Sequence, residues 1–315
     1  MSPMRFLGRL AGVWVLWRLA TPQPVPVFPA GQRRPPGPPG RTVLAGNHEF
    51  LLREAGPEEA PRLLLIHGWG FDSLAAWHRV LPWLTPRLRV MALDLRGHGK
   101  SDRRRGRFSI EDLADETAAV LDSLGPGRYT VVGYSLGGLV AQALARRHPA
   151  RVERLVLVAT AARLVRGPRG VAGAALVAAR ALARVDATLL PRVLHRYLRR
   201  VGAVPAEHAA WLWESLLNRD AELHHQAGFA LAGFDSREWL ERLRLPVLCL
   251  VPDRDQLVPP AEQRATASLI AGSRVVEIRG ARHEAALTHA GEVAGAILDF
   301  LGPSAPEEAA ATAEA

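Results

Sequence analysis

The pentapeptide Gly133-Tyr134-Ser135-Leu136-Gly137 constrains this chain more than any other stretch. It follows a short apolar run, Tyr129–Val132, and opens a helical pattern, Leu136–His148. A backbone that passes from strand to helix within so few residues must turn sharply and lift the serine out of the turn. Side chains on either side of the turn would clash, which accounts for Gly133 and Gly137, with Gly138 giving further room. The same turn leaves the backbone N–H of Leu136 at a helix N-terminus, where it can bind a developing oxyanion. Ser135 is therefore the candidate nucleophile.

Similar apolar runs recur along the chain. Arg62–Ile66 stops at His67-Gly68, Val90–Leu93 at Asp94, and Leu155–Val158 near Ala159. Val247–Val251 stops at Pro252, and Val275–Ile278 ends at Gly280. Runs this short, each bounded by turn residues, predict strands buried on both faces. Thr42–Ala45 and Glu49–Arg53 predict two more, paired as a hairpin. Segments Ser109–Leu124, Leu136–His148, Ala261–Ala271 and Leu287–Leu301 predict helices between them, with Ser109 and Asp112 as a start signal for the first. The expected fold class is α/β, a mostly parallel central sheet with helices on both faces.

One interval breaks this rhythm. From about Ala161 to Leu243 there is no clear strand, only helical patterning rich in Ala, Leu, Arg and Trp. A helical insertion over the carboxyl ends of the strands is the simplest account, because open parallel sheets bind ligands at those ends. The expected organisation is therefore an apolar helix and Pro/Gly-rich linker over 1–40 and a core in two parts, 41–160 and 244–302. A helical cap over 161–243 interrupts that core, and a frayed acidic tail follows over 303–315. Within the first segment, residues 21–40 should be extended or disordered, being dense in proline and glycine.

A second chemical signal follows the run Arg62–Ile66, in His67-Gly68-Trp69-Gly70. Gly68 lets the backbone approach the nucleophile, and the N–H of Trp69 can then supply a second oxyanion donor. His67 reads as a local clamp for this loop rather than as a base or metal ligand.

Together these motifs resemble the α/β-hydrolase superfamily, in its cap-bearing esterase, lipase and C–C-hydrolase-like branch. The resemblance runs from about Val43 to Leu301 and includes Asp94-Leu95-Arg96-Gly97-His98-Gly99-Lys100-Ser101-Asp102, similar to a D-x-R-G-x-G-x-S segment that ties loops together. His98 is expected at the pocket mouth at most. The resemblance implies an acid after the strand Val247–Val251, where Asp255 and Pro259 match G-x-x-D-x-x-x-P with Pro252 in place of the glycine. Asp253 reads as a turn residue. It also implies a base after the last strand, where Arg279-Gly280-Ala281-Arg282-His283 is similar to G-x-G-H with Arg282 for the second glycine. Glu284 is expected to face away. The order Ser135, Asp255, His283 is the one this fold uses.

The activity so implied is hydrolysis of a carboxylic ester through an acyl-enzyme. Hydrolysis of thioesters, lactones or C–C bonds, and acyl transfer, use the same three residues, and a non-catalytic ligand-binding protein on the same fold is a further alternative. Trp211, Trp213, Phe229, Phe234 and Trp239 in the cap suggest an apolar substrate, or else pack the cap onto the core.

Composition removes other classes. The 40 Lys+Arg exceed the 31 Asp+Glu to give +9, but Lys100 is the single lysine and the arginines are scattered. A solvated basic surface is expected rather than a nucleic-acid footprint. His224 and His225 are adjacent, so on a helix they point apart, and no metal or cofactor is expected. Met4 to Ala20 is apolar and Trp-rich but broken by Arg5, Arg9 and Arg18, far short of a bilayer span. It reads either as a helix at a membrane surface, with Trp14 and Trp17 at headgroup level, or as a helix packed on the protein. The expected location is the cytoplasm, with peripheral membrane contact through residues 4–20 as one reading.

Overall fold

A computed structural model describes residues 13, 14, 17, 21, 26–165 and 169–302. Of residues 4–20, only Val13, Trp14 and Trp17 are described, all helical. The membrane-surface expectation thus lies mostly outside the described residues, and the tail over 303–315 lies wholly outside them. Among the described residues no helix is long and apolar enough to cross a membrane.

Eight strands form one sheet in the order β1-β2-β4-β3-β5-β6-β7-β8. They are β1 (Gly40–Ala45), β2 (His48–Ala55), β3 (Arg62–Ile66), β4 (Arg89–Leu93), β5 (Tyr129–Tyr134), β6 (Val152–Val158), β7 (Val247–Pro252) and β8 (Arg274–Ile278). The hairpin β1–β2 and the β2–β4 pair are antiparallel, and every other pair is parallel. Alternation along each strand divides the core into two layers. Leu64 and Ile66 of β3 join Met91, Leu93 and Val131 on one face, while Leu63 and Leu65 join Val90, Ala92 and Val132 on the other. With both faces apolar, central strands read as continuous hydrophobic runs, which is why they were visible in the sequence. β8 departs from that reading: as an edge strand it buries only Ile278 fully, and Arg274, Val275 and Glu277 are exposed.

The helices are α1 (Ser73–Trp77), α2 (Leu81–Leu84), α3 (Ile110–Ser123), α4 (Leu136–Arg147), α5 (Arg169–Val185), α6 (Leu189–Arg200), α7 (Ala209–Leu217), α8 (Ala221–Gly233), α9 (Pro260–Ser268), α10 (Ala285–Thr288) and α11 (Ala290–Leu301). At the start of α3 the Ser109 hydroxyl accepts from the Asp112 N–H at 3.0 Å, and Asp112 accepts from the Ser109 N–H at 2.9 Å. This reciprocal cap satisfies two otherwise orphaned donors. Helices α5–α8 all fall between β6 and β7, and the described residues of that interval contain no strand.

Residues 26–39, before β1, form neither helix nor strand, but they are held. Gln32 donates to the Ala206 carbonyl and accepts from the Ala210 N–H at 2.9 Å, the Arg33 N–H donates to the Glu207 carbonyl at 2.8 Å, and Arg53 donates to the Pro38 carbonyl at 3.0 Å. Composition signals extension here without signalling attachment.

Candidate active site

Parallel strands with a common direction bring their carboxyl ends to one edge, so the loops after β3, β5, β7 and β8 meet there. The chain leaves β3 for β4 on one side and β5 for β6 on the other, which opens a crevice between the loops that follow β3 and β5.

Ser135 sits at the turn after β5 with φ 53° and ψ −116°, a conformation L-residues rarely hold. Its neighbours explain how it is tolerated. A Cβ on Gly133 would lie 2.3 Å from the Gly137 carbonyl oxygen, and one on Gly137 would lie 2.3 Å from that of Ile66. Backbone hydrogen bonds hold the turn: the Ser135 N–H donates to the Val158 carbonyl, and the Ser135 carbonyl accepts from the Thr160 hydroxyl at 2.8 Å.

From this turn a row of three side chains extends. Ser135 Oγ lies 3.0 Å from His283 Nε2, and His283 Nδ1 lies 2.8 Å from Asp255 Oδ2. Because a carboxylate only accepts, the Asp255 contact places the imidazole proton on Nδ1 and leaves Nε2 free to accept from the serine hydroxyl. Asp255 is fully enclosed: Oδ1 accepts from the N–H groups of Leu257 and Val258, both at 2.9 Å, and Oδ2 also accepts from Gln263 Nε2 at 3.0 Å. The loop that carries Asp255 is tied directly to the segment that leads to His283, Arg254 N–H to the Ala281 carbonyl and Asp253 N–H to that of Ile278.

The loop after β3 passes beside Ser135. A Cβ on Gly68 would stand 3.0 Å from the Tyr134 ring and 3.3 Å from Ser135 Cβ, so the backbone approaches as closely as glycine permits. Among the described residues the Trp69 N–H has no acceptor, and the Leu136 N–H, first in α4, has none within its helix. His67 clamps this loop, Nδ1–H donating to the Gly68 carbonyl and Nε2 accepting from the Leu95 N–H at 3.0 Å. Burial pushes its pKa down to about 4, so it stays neutral.

A cavity of about 500 Å³ opens beside Ser135 and His283 and is lined in part by residues of α6 and α8. Its apolar wall combines aliphatic residues, among them Leu190, Val193, Leu194 and Leu231, with Trp69, Phe71 and Tyr134. None of the five cap aromatics singled out in the sequence lines it. Trp213, Phe234 and Trp239 are buried instead, the last two in the core layer beneath the cap, which is the packing alternative.

Several residues stand elsewhere than expected. His98 is buried behind the loops, its pKa pushed down to about 3 by desolvation and by His67, and it does not reach the cavity. Glu284 does not face away: it is buried and lines the cavity floor with Tyr197 and Arg282. Asp253 does lie in the turn after β7, though its Oδ1 makes no hydrogen bond. Gln263, which links Asp255 to the Val258 carbonyl, and Arg219, in the cavity wall, were not foreseen, since nothing local in the sequence ties either to the site. The His224 and His225 rings lie edge to face, 5.9 Å between centroids, and no described group of three or more His, Cys, Asp or Glu is placed to hold a metal.

Residues 61–290 match the sequence profile of the α/β hydrolase fold. Over 255 residues the chain is 32% identical to the pimeloyl-[acyl-carrier protein] methyl ester esterase of Aeromonas hydrophila, covering 78% of this chain and 96% of that one. A hydrolase from Pseudomonas aeruginosa superposes with a TM-score of 0.75 at 29% identity, over 84% of this chain and 98% of that one. An enol-lactonase from Burkholderia xenovorans gives 0.73 at 30% identity, over 83% and 99%.

Proposed function

The chain belongs to the α/β-hydrolase family, and on that premise we propose that Ser135, His283 and Asp255 carry the hydrolysis of a carboxylic ester with a largely apolar acyl group. The observation that carries this assignment is the unbroken row from Ser135 Oγ through His283 to Asp255, at 3.0 and 2.8 Å, on the wall of the cavity. The relatives named for a methyl ester esterase support the ester as the bond broken. The largely apolar lining, aliphatic and aromatic, supports an acyl chain of little polarity.

In the mechanism, Ser135 Oγ attacks the ester carbonyl carbon as His283 Nε2 takes its proton. The carbonyl oxygen becomes an oxyanion that the N–H groups of Trp69 and Leu136 bind, each such donor worth about 3–4 kcal/mol in the transition state. Asp255, fixed by four hydrogen bonds, holds the ring in orientation and balances its positive charge. Collapse breaks the bond to the alcohol oxygen, which leaves with the proton from His283. Water then attacks the acyl-enzyme, His283 takes its proton, and the second tetrahedral species releases the carboxylic acid and restores the Ser135 hydroxyl. No cofactor enters any step.

A fluorophosphonate probe tests the assignment. It should label the wild-type chain, and Ser135→Ala should lose both labelling and turnover of p-nitrophenyl esters. Labelling undiminished in that variant would overturn it.

A further inference from the structure

Arg219 lies in the wall of the cavity with no partner to offset its charge. Its Nη1 is buried without a hydrogen bond, and no ion pair forms to it among the described residues. Desolvation pushes its pKa down to about 10, and no neighbouring carboxylate raises it. The adjacent Asp220 is already committed, accepting from both terminal nitrogens of Arg105 at 2.7 and 2.9 Å. Beside Arg219 stands His224, 3% exposed, with neither ring nitrogen hydrogen-bonded.

The two meet over one backbone position. Where a Cβ on Gly70 would project, Arg219 Nη1 is 3.7 Å away and His224 Cε1 is 3.5 Å away. Gly70 follows Trp69 directly, so these groups stand next to the loop that carries a proposed oxyanion donor. Arg219 and His224, with Leu190 and Val193, also line a second cavity of about 370 Å³ within the cap, and so stand at the wall the two spaces share. Buried donors left unsatisfied by the protein are costly, and here they face the space a substrate would fill.

We propose that Arg219, with His224 beside it, binds a carboxylate carried by the substrate, so that the ester cleaved at Ser135 is the half-ester of a dicarboxylic acid. This rests on the ester-hydrolase reading above. A planar guanidinium matches a carboxylate well, and the bond is strengthened where water is excluded. The apolar lining of the cavity that Ser135 and Arg219 share receives the methylene chain.

The test compares monomethyl esters of straight-chain dicarboxylic acids with methyl esters of monocarboxylic acids of equal length, as a ratio of kcat/KM. In the wild type the half-ester should be favoured about 10- to 100-fold at the best-fitting length, the range expected of one hydrogen-bonded charge pair. In Arg219→Gln that ratio should fall to about one, and Arg219→Lys should keep part of it. Fluorophosphonate labelling reports whether each variant retains a folded site; if Arg219→Gln loses it, the wild-type and Arg219→Lys ratios decide. A wild-type ratio at or below one at every length, or one that survives Arg219→Gln, overturns the carboxylate subsite while leaving ester hydrolysis standing. Absence of labelling and of turnover in both series overturns the ester reading and the subsite together.

Discussion

The indole of Trp69 stacks on the imidazole of His224, ring centroids 4.6 Å apart and planes 12° from parallel, and its Nε1–H donates to the His224 carbonyl at 2.9 Å. One residue therefore offers a backbone donor beside Ser135 and a side chain bound to α8. The position of α8 and that of the loop after β3 are thus coupled.

Replacing Trp69 by Phe keeps an aromatic face and the backbone N–H but removes the indole donor. The cap should loosen by about 1 kcal/mol, the net worth of one such hydrogen bond. Amide exchange in Ala221–Gly233 should rise, and KM should increase more than kcat falls. Mass-spectrometric exchange and steady-state kinetics on one ester check both. Exchange unchanged in α8 would show that the stack alone holds it.

Asp255→Asn preserves size but replaces a pure acceptor by a group whose amide can donate toward His283. The ring would then carry its proton on Nε2, facing Ser135, where it cannot act as base. In a triad of this geometry that substitution costs about 10⁴-fold in kcat. Turnover within tenfold of wild type would remove Asp255 from the row. Gln263→Leu, which deletes one of the four hydrogen bonds on Asp255, should cost far less, on the order of tenfold.

Two glycine substitutions should act in opposite directions. A Cβ on Gly137 would fall 2.3 Å from the Ile66 carbonyl oxygen and 2.6 Å from that of His67, both rigid backbone. Gly137→Ala should lose about 3 kcal/mol or more, since strand and helix must separate to admit it. Gly173, inside α5, has open space at its Cβ position. Gly173→Ala should gain about 0.4–1 kcal/mol by narrowing the unfolded ensemble. Urea midpoints of the two variants check the sign of each.

What the sequence made legible follows from which forces are local. Strands β3–β7 were visible because residues buried on both faces leave short apolar runs, most of them ending at or beside Gly, Asp or Pro. The turn at Ser135 was visible because its geometry excludes side chains at Gly133 and Gly137. Asp255 and His283 could be named through resemblance, since their loops carry recognisable residues. Arg219, Gln263 and Glu284 could not, because their places depend on how the cap and the loops pack over long sequence separations. The aromatics between β6 and β7 left two readings open for a related reason: a large apolar side chain signals burial without saying whether substrate or core buries it.

Buried imidazoles give the protein a pH response of predictable sign. Desolvation pushes His67 and His78 down to about 4 and His98 to about 3, and His224 is driven in the same direction. In the unfolded chain each titrates near 6.5, so below that pH the unfolded state binds protons that the folded state refuses. Stability from these groups is complete above about 6.5 and is lost as the pH falls toward 4. Asp72 acts oppositely: burial and the nearby Asp94 push it up to about 6, so it favours the folded state as the pH falls through 6. One such carboxyl offsets one of the imidazoles. At least two protons of difference then remain near pH 5, a slope of roughly 3 kcal/mol per pH unit. Urea midpoints measured from pH 7.5 to 4.5 should therefore drop steeply below about 6.5, well above the range in which ordinary carboxylates titrate. His78→Gln should flatten the curve by about one proton, because His78 lies under the cap away from the Ser135 row and its loss removes one site of differential binding. A midpoint constant across that range would mean that these rings find protons without unfolding, and that burial does not hold them neutral.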